Sequence, residues 1–268
     1  MGGALRRPAA FHGMTSTFEK FLPGVVFIAL VVAWQLACDI FKVQAFLLPS
    51  PLDIVDKMIE VHRRLLIHLT ATLQEVVIGF AVACIGGIGI AAVTAHSRIL
   101  SRTIFPLLVI SQTIPTIAIA PILVIWFGPG EAARLIVVFM IAFFPIVVNT
   151  TAGLLRVNEE LIDLVRGLDA SRWKIFTKIR LPNALPHIFT GMRISIALSV
   201  IGSVVGEFVA ATEGLGYLIF SANTNLDTKL VFAAVVLLSA MGIVLFQLVR
   251  LAQRLLVPWA QDSRGLSA

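Results

Sequence analysis

Six long apolar stretches, separated by shorter segments that carry most of the charges, set the pattern of the chain. A helix needs roughly 20 apolar residues to cross about 30 Å of hydrocarbon, and each stretch has approximately that length. We therefore predict an all-α membrane protein with six transmembrane helices. The predicted spans are about 22–40, 69–95, 103–127, 135–155, 187–211 and 230–256, with a flexible segment at 1–21 and a tail at 257–268.

Composition supports this prediction and excludes a soluble protein. Hydrophobic residues make up 58% of the chain and charged residues only 13%, whereas soluble domains average about 45–50% and about 25%. The chain has two cysteines, Cys38 and Cys84, and both lie inside apolar runs. Two are too few for a disulfide framework or a zinc site. The net charge of +6 reflects basic residues between the spans, so we expect no nucleic-acid partner.

The placement of basic residues predicts the orientation. If both termini are cytoplasmic, few of the 21 Lys and Arg residues remain outside. These are Lys42, Lys57, Arg63, Arg64, Arg134 and Lys229, while Arg193 lies within a span. Because cytoplasmic connections carry an excess of Lys and Arg, we expect a multi-pass inner-membrane protein with both termini inside.

The first connection, about residues 41–68, contains the sequence of a short surface helix. Ser50 is a suitable N-cap and Pro51 a suitable first helical residue. The stretch from Leu52 to Leu66 alternates apolar and charged positions. It predicts an amphipathic helix lying at the outer membrane surface.

The predicted inside connection at 156–186 is long enough to dock a partner and is called the 156–186 loop below. Apolar residues at helical spacing predict a first helix, namely Leu161, Leu164, Val165 and Leu168. Asp169-Ala170-Ser171 then interrupts it and offers a cap for a second helix. Pro182 and Pro186 are expected to end that second helix before the fifth span. An amphipathic hairpin lying on the lipid surface is the alternative interpretation.

The order of residues in this loop resembles the cytoplasmic loop of binding-protein-dependent ABC importer permeases. That loop usually reads Glu-Ala-Ala, three residues, Gly, nine residues and Ile-x-Leu-Pro. The final motif is present as Ile179-Arg180-Leu181-Pro182, whereas the family glycine falls on Asp169 and is followed by Ala170, Ser171, Arg172 and Trp173. The Glu-Ala-Ala positions fall on Asp163, Leu164 and Val165. Aspartate tolerates the φ > 0 that a glycine turn needs, so we expect that conformation at Asp169.

Two further blocks carry the same resemblance. The run 114–128, from Ile-Pro-Thr to Trp-Phe-Gly, is similar to the third span of nitrate, sulfonate, taurine and thiamine-precursor permeases. The run 206–219, Gly-Glu-Phe-Val-Ala-Ala and then Gly-Leu-Gly-Tyr-Leu-Ile, is similar to the end of their fifth span. Together with the loop, these blocks extend the resemblance over roughly residues 45–260.

The resemblance implies a type I (MetI-like) ABC importer permease. Such a subunit forms a homodimer or a pair with a related permease in the bacterial inner membrane. Two ABC ATPase subunits beneath it hold ATP and Mg²⁺, and a periplasmic or lipid-anchored binding protein delivers a small polar solute. The chain itself is then no enzyme and binds no cofactor or metal. In agreement, it contains no Gly-Lys dipeptide, so it has no phosphate-binding P-loop.

The resemblance also assigns roles to residues. Docking on the ATPase is expected of Asp163, Leu164, Val165, Asp169, Ala170, Ser171, Arg172, Trp173, Ile175, Phe176, Ile179, Leu181 and Pro182. Among these, Trp173, Ile175 and Phe176 are expected to supply apolar contacts, and Arg172, with Lys174, the charged rim.

Polar groups within the predicted spans are candidates for the translocation path. They are Gln112, Asn149, Ser195, Ser199, Ser203 and Glu207. Helix packing is the other interpretation of the serines. For Glu207 the other interpretation is a hydrogen bond to the Gly214–Gly216 turn.

Two other classes of protein remain open from sequence. An ion-gradient-driven secondary transporter would favour internal repeats and a coupling carboxylate deep in the membrane. No repeat is visible, and Glu207 lies near a span end. An accessory membrane anchor without transport is the third interpretation. The sequence Phe143–Asn149 favours a pyrimidine or vitamin-precursor substrate only by resemblance.

Overall fold

The computed structural model describes residues 12–96, 100, 103, 106, 107, 110 and 113–260. Within these ranges all regular structure is helical, as predicted. The helices are α1 (His12–Phe41), α2 (Pro51–Glu60), α3 (His62–His96), α4 (Thr116–Phe127), α5 (Glu131–Leu155), α6 (Glu159–Gly167), α7 (Arg172–Ile175), α8 (Leu181–Ala210), α9 (Leu215–Thr224) and α10 (Thr228–Leu256). A π turn at Phe176–Arg180 joins α7 to α8, and a 3₁₀ turn follows at Pro258–Ala260.

Five of the described helical segments are long and apolar enough to cross a membrane. They are Leu22–Phe41, His62–Ala95, Glu131–Leu155, Arg172–Ala210 and Thr228–Leu256. They coincide with five of the six predicted spans. In the remaining predicted span, 103–127, the described residues 103, 106, 107 and 110 are helical, and the shorter apolar helix α4 begins after the non-helical Pro115. Of the predicted flexible segment 1–21, residues 1–11 lie outside the described residues, and α1 already begins at His12. Of the predicted tail 257–268, residues 261–268 lie outside the described residues.

The predicted surface helix is present, and its start is as expected. Ser50 caps α2 by accepting a hydrogen bond from the Asp53 amide, and the Asp53 carboxylate accepts from the Ser50 amide in return. The helix is shorter than predicted, because Val61 ends it and His62 begins α3. One side of α2 packs on α9 and α10 through Ile54, which is 4% exposed.

Small residues bring the central helices close together. A methyl group at Gly191 of α8 would come within 2.9 Å of the Pro145 carbonyl oxygen of α5, and one at Gly202 within 3.0 Å of the Val138 Cα atom. On the other side of α5, a methyl group at Gly87 of α3 would lie 2.9 Å from Ile146. Packing through glycine and serine is the usual way in which membrane helices associate, because lipid offers them no hydrophobic driving force. α5 is therefore the centre of the bundle, with α3 and α8 against it.

Pro182 and Pro186 do not end a helix, contrary to the prediction. Helical structure continues from Arg172 into α8, and both prolines lie in its first two turns. A proline lacks the N–H that would donate four residues back. The π turn just before Pro182 already uses five-residue pairing, in which the Leu181 amide donates to the Phe176 carbonyl. Such local departures from α pairing accommodate the missing donors.

Candidate functional site

The 156–186 loop is built from two capped helices joined by a tight turn. Asn158 accepts a hydrogen bond from the Glu160 amide and starts α6. Ser171 accepts one from the Lys174 amide at 3.3 Å and starts α7. Both residues are good N-caps because their side-chain oxygens satisfy amides that have no partner in the first helical turn. The predicted two-helix division of the loop is confirmed.

The turn between the helices explains why the family uses glycine there. The Ala170 amide donates to the Val165 carbonyl at 3.2 Å, and the Asp169 amide donates to Arg166 at 3.0 Å. These two bonds form a Schellman motif, which requires left-handed backbone at the first residue beyond the cap. Asp169 has φ = 56°, as the sequence predicted. Aspartate therefore occupies the glycine position by adopting the conformation that glycine adopts most easily.

The loop exposes an apolar surface that includes the predicted Trp173 and Leu164 but not the predicted Ile175. Trp173 is 71% exposed, Leu164 64% and Leu168 75%. By contrast, Ile175 is only 5% exposed, so its side chain is not available to a partner. Phe176 is half-buried and stacks on Trp173 with ring centroids 6.0 Å apart.

Charged residues surround this apolar surface. Arg172 and Lys174 are exposed on α7, where the sequence predicted a charged rim. Asp163 is also exposed and forms an ion pair with Arg166 within α6, at 3.1 Å. This pair is solvent-exposed, so it contributes little to stability. Val165, Ala170 and Ile179 are half-buried.

The end of the loop is joined firmly to the bundle. Phe176 and Leu181 pack against a buried cluster formed by the end of α3, the end of α5 and the start of α8. Its buried members are Ala95, Leu154, Ala184 and Ile188. Arg180, from the same π turn, donates from Nη1 to the carbonyl oxygen of Ala95 at 3.0 Å. Sequence reasoning missed Arg180, because the Ile-x-Leu-Pro motif leaves that position unspecified.

Glu207 lies at the opposite end of the bundle and hydrogen-bonds the Gly214–Gly216 turn. Its carboxylate accepts from the Gly216 amide and from the Thr72 hydroxyl, the latter at 2.7 Å. Thr72 also accepts from the Leu215 amide at 2.7 Å. These side chains thus satisfy the first amides of α9, whose positive end favours a carboxylate. The predicted hydrogen bond between Glu207 and the Gly214–Gly216 turn is confirmed. A role of Glu207 in the translocation path stays a prediction.

A second polar pair lies beside Glu207 and was not found from the sequence. Arg134 of α5 pairs through Nε with the carboxylate of Glu75 in α3 and donates through Nη1 to the Ala210 carbonyl at 3.2 Å. Glu75 is 4% exposed. An ionisable residue within an apolar span was the available signal, because such a residue needs a partner. Arg134 thereby joins α3, α5 and the end of α8.

The predicted path serines lie in helix packing. Ser195, Ser199 and Ser203 are fully buried within the chain. Ser195 donates to the Ala142 carbonyl of α5, and the other two donate within α8. Asn149 is half-buried and donates to the Pro145 carbonyl at 2.8 Å. Gln112 lies outside the described residues, so the path lining remains a prediction.

Comparison with known proteins identifies the family. The model of the family described as "binding-protein-dependent transport system inner membrane component" matches residues 85–261. The chain belongs to this family. The permease is therefore a multi-pass inner-membrane component of an ABC transport system, in agreement with the resemblance found in its sequence.

Curated relatives are similar to the permease over most of their length. The formylaminopyrimidine transport permease protein ThiX of Halalkalibacterium halodurans is 37% identical, over 92% of this chain and 98% of its own. The riboflavin transport system permease protein RibX of Chloroflexus aurantiacus is also 37% identical, over 88% of each chain. The taurine transport system permease protein TauC of Escherichia coli is 29% identical, over 88% of each chain.

A solved structure supports the fold. A chain of the methionine ABC transporter MetNI in an inward-facing conformation is similar with a TM-score of 0.57 and 21% sequence identity. The similarity covers 72% of the permease and 97% of that chain. The MetI-like architecture expected from sequence is confirmed at the level of the fold.

Proposed function

We propose that the permease imports a small polar solute that a binding protein delivers, driven by a separate ABC ATPase. Alternating access of the spans follows from ATP-driven closure of two ATPase subunits, which bias a two-state membrane domain from a distance. ATP and Mg²⁺ are held by the ATPase, and this chain contributes no catalytic group. A second copy of the chain completes the translocation path.

One observation carries this proposal, namely the apolar surface on the 156–186 loop. Trp173, Leu164 and Leu168 are mostly exposed although they belong to a segment that is capped and anchored to the bundle. A tryptophan with arginine beside it is typical of interface hot spots. In a chain of this family, an ATPase surface is the partner that such a loop fits.

The proposed orientation places the 156–186 loop and both termini in the cytoplasm. Basic residues of the loop support it, because Arg172, Lys174 and Lys178 are all exposed there and the positive side of a membrane protein faces inward. The Glu207 end of the bundle then faces the binding protein.

For the substrate, we propose a ring-containing nitrogen heterocycle as the first candidate. The two relatives at 37% identity are named for formylaminopyrimidine and riboflavin. A relative named for taurine is 29% identical, so sulfonates and nitrate form the second group to test. Transport assays with both groups, in vesicles that contain the whole complex and its binding protein, distinguish them.

The decisive experiment compares two equally exposed tryptophans. Trp173→Ala removes the centre of the loop surface, and Trp126→Ala in α4 is the matched control, since Trp126 is 72% exposed. The ATPase subunit is co-expressed, and its recovery with the permease and the transport-coupled hydrolysis of ATP are measured.

We expect Trp173→Ala to weaken association by about 30-fold or more, because hot-spot truncations cost about 2 kcal/mol or more, and Trp126→Ala to retain it. Equal recovery in both variants would contradict docking through this loop. If no ATPase co-purifies with the wild type, the gradient-driven or anchor interpretation replaces the proposal.

A further inference from the structure

The helix that carries the exposed end of the loop continues without a break into the bundle. From Arg172 to Ala210 the chain forms one helical segment of 39 residues, which includes the π turn and the two prolines Pro182 and Pro186. A movement of Trp173 at one end therefore moves α8 directly. The adjacent helix α3 is hydrogen-bonded to α8 at the far end, from Thr72 to Glu207, and its loop end needs a second link to follow the same movement.

The apolar contacts at this junction do not provide a specific link. The buried cluster between α3, α5 and α8 includes Ala95 and Ala184, whose side chains are single methyl groups. Apolar association is non-directional, so these contacts hold the helices together without specifying the register of α3 against the loop. A directional contact is needed to keep α3 in register with the loop.

Arg180 makes a directional contact at this junction. Its Nη1 donates to the Ala95 carbonyl at 3.0 Å, across 85 residues of sequence. Ala95 is the second-last residue of α3, so this contact joins the π turn to the loop end of that helix. A guanidinium is always charged and is favoured at the negative C-terminal end of a helix.

We propose that Arg180 is a positioning residue that couples α3 to the movement of the 156–186 loop. Arg180 is half-buried against α3, and in this role it transmits displacement of the π turn to the end of α3, so that α3 and α8 move together. This inference rests on the proposed function, since it requires an ATPase that moves the loop. A purely structural helix cap is the alternative.

The test uses the complete complex with its ATPase and binding protein in lipid vesicles. Arg180→Met keeps the length and apolar stem of the side chain but removes its donors, while Arg180→Lys keeps one charged donor. Arg156→Met is the matched control, because Arg156 is exposed and its Nη1 lies 3.4 Å from His187 Nε2 on α8, not on α3. The measured quantity is the number of solute molecules imported per ATP hydrolysed.

We expect Arg180→Met to co-purify with the ATPase and to import about 10-fold less solute per ATP, which corresponds to the loss of a hydrogen bond to a charged group. Arg180→Lys should recover part of this ratio, and Arg156→Met should match the wild type. A structural cap alone predicts lower stability and yield with an unchanged ratio in the complexes that assemble, and that result would overturn the proposal.

A second measurement on the wild type covers the case in which Arg180→Met does not insert. Hydrogen–deuterium exchange is compared between the nucleotide-free complex and one held with a non-hydrolysable ATP analogue. Exchange at 172–181 and at 88–96 should change together. A change confined to 172–181 overturns the inference while leaving the proposed function intact, whereas the absence of any ATPase in the wild-type complex removes both.

Discussion

The left-handed turn at Asp169 allows a quantitative test of the 156–186 loop. Asp169 is exposed and has φ = 56°, so a substitution there changes the backbone energy without removing buried contacts. Left-handed backbone costs an ordinary L-residue about 1–2 kcal/mol, less for Asp, and β-branched residues suffer most. We therefore expect Asp169→Val to destabilise the turn by about 1–2 kcal/mol.

Glycine should have the opposite, smaller effect. It removes the left-handed cost, but its greater freedom in the unfolded chain offsets about 0.5–1 kcal/mol of that gain. The expected net stabilisation of Asp169→Gly is about 0.5 kcal/mol or less. Gly167→Ala is the internal control, because Gly167 ends α6 with open space around it and without positive φ. It should stabilise α6 by up to about 1 kcal/mol.

The assay is hydrogen exchange at the two amides of the Schellman motif, those of Asp169 and Ala170. A destabilisation of about 1.4 kcal/mol increases their exchange about 10-fold, so Asp169→Val should exchange roughly 10-fold faster than wild type. Asp169→Gly should exchange at the wild-type rate or more slowly. If Asp169→Val were as protected as wild type, or Asp169→Gly less protected, the backbone explanation of the family glycine would be refuted.

Three further perturbations test the bundle and its surface. Gly191→Ala should destabilise the bundle by about 1–3 kcal/mol through overpacking against backbone, measured as thermal unfolding in detergent. Gly89→Ala, which meets open space, should be neutral or stabilising. Thr72→Val should cost about 1–3 kcal/mol in the same assay, because the first amide of α9 loses its acceptor. The hydrogen bond from Lys229 lowers the pKa of Asp53 below its ordinary 3.8. The stabilisation by this carboxylate is therefore complete above that value and is lost as the pH falls below it. The melting temperatures of wild type and Asp53→Asn should converge at low pH. A difference that stays constant with pH would contradict this.

The sequence alone determined the features that depend on neighbouring residues. Long apolar runs predicted the spans, because the bilayer thickness sets their length. Ser50 and Pro51 predicted where α2 starts, and the position of Asp169 predicted a left-handed turn. The spans and the start of α2 follow from consecutive residues, and the turn at Asp169 from the resemblance of the loop to a known family. None of them needed the positions of other helices.

The tertiary structure decided which residues contact one another and which face each helix exposes. Ile175 and Trp173 are both apolar and two residues apart, and only the packing of the loop on the bundle buries one and exposes the other. Arg180 and Ala95 are 85 residues apart, and nothing in either local sequence predicts their contact. Glu207 similarly depends on the position of α3 to bring Thr72 within hydrogen-bonding distance. Such contacts follow from how helices pack across the chain, and this is why the sequence predicted the elements and the family, whereas the links between elements required the structure.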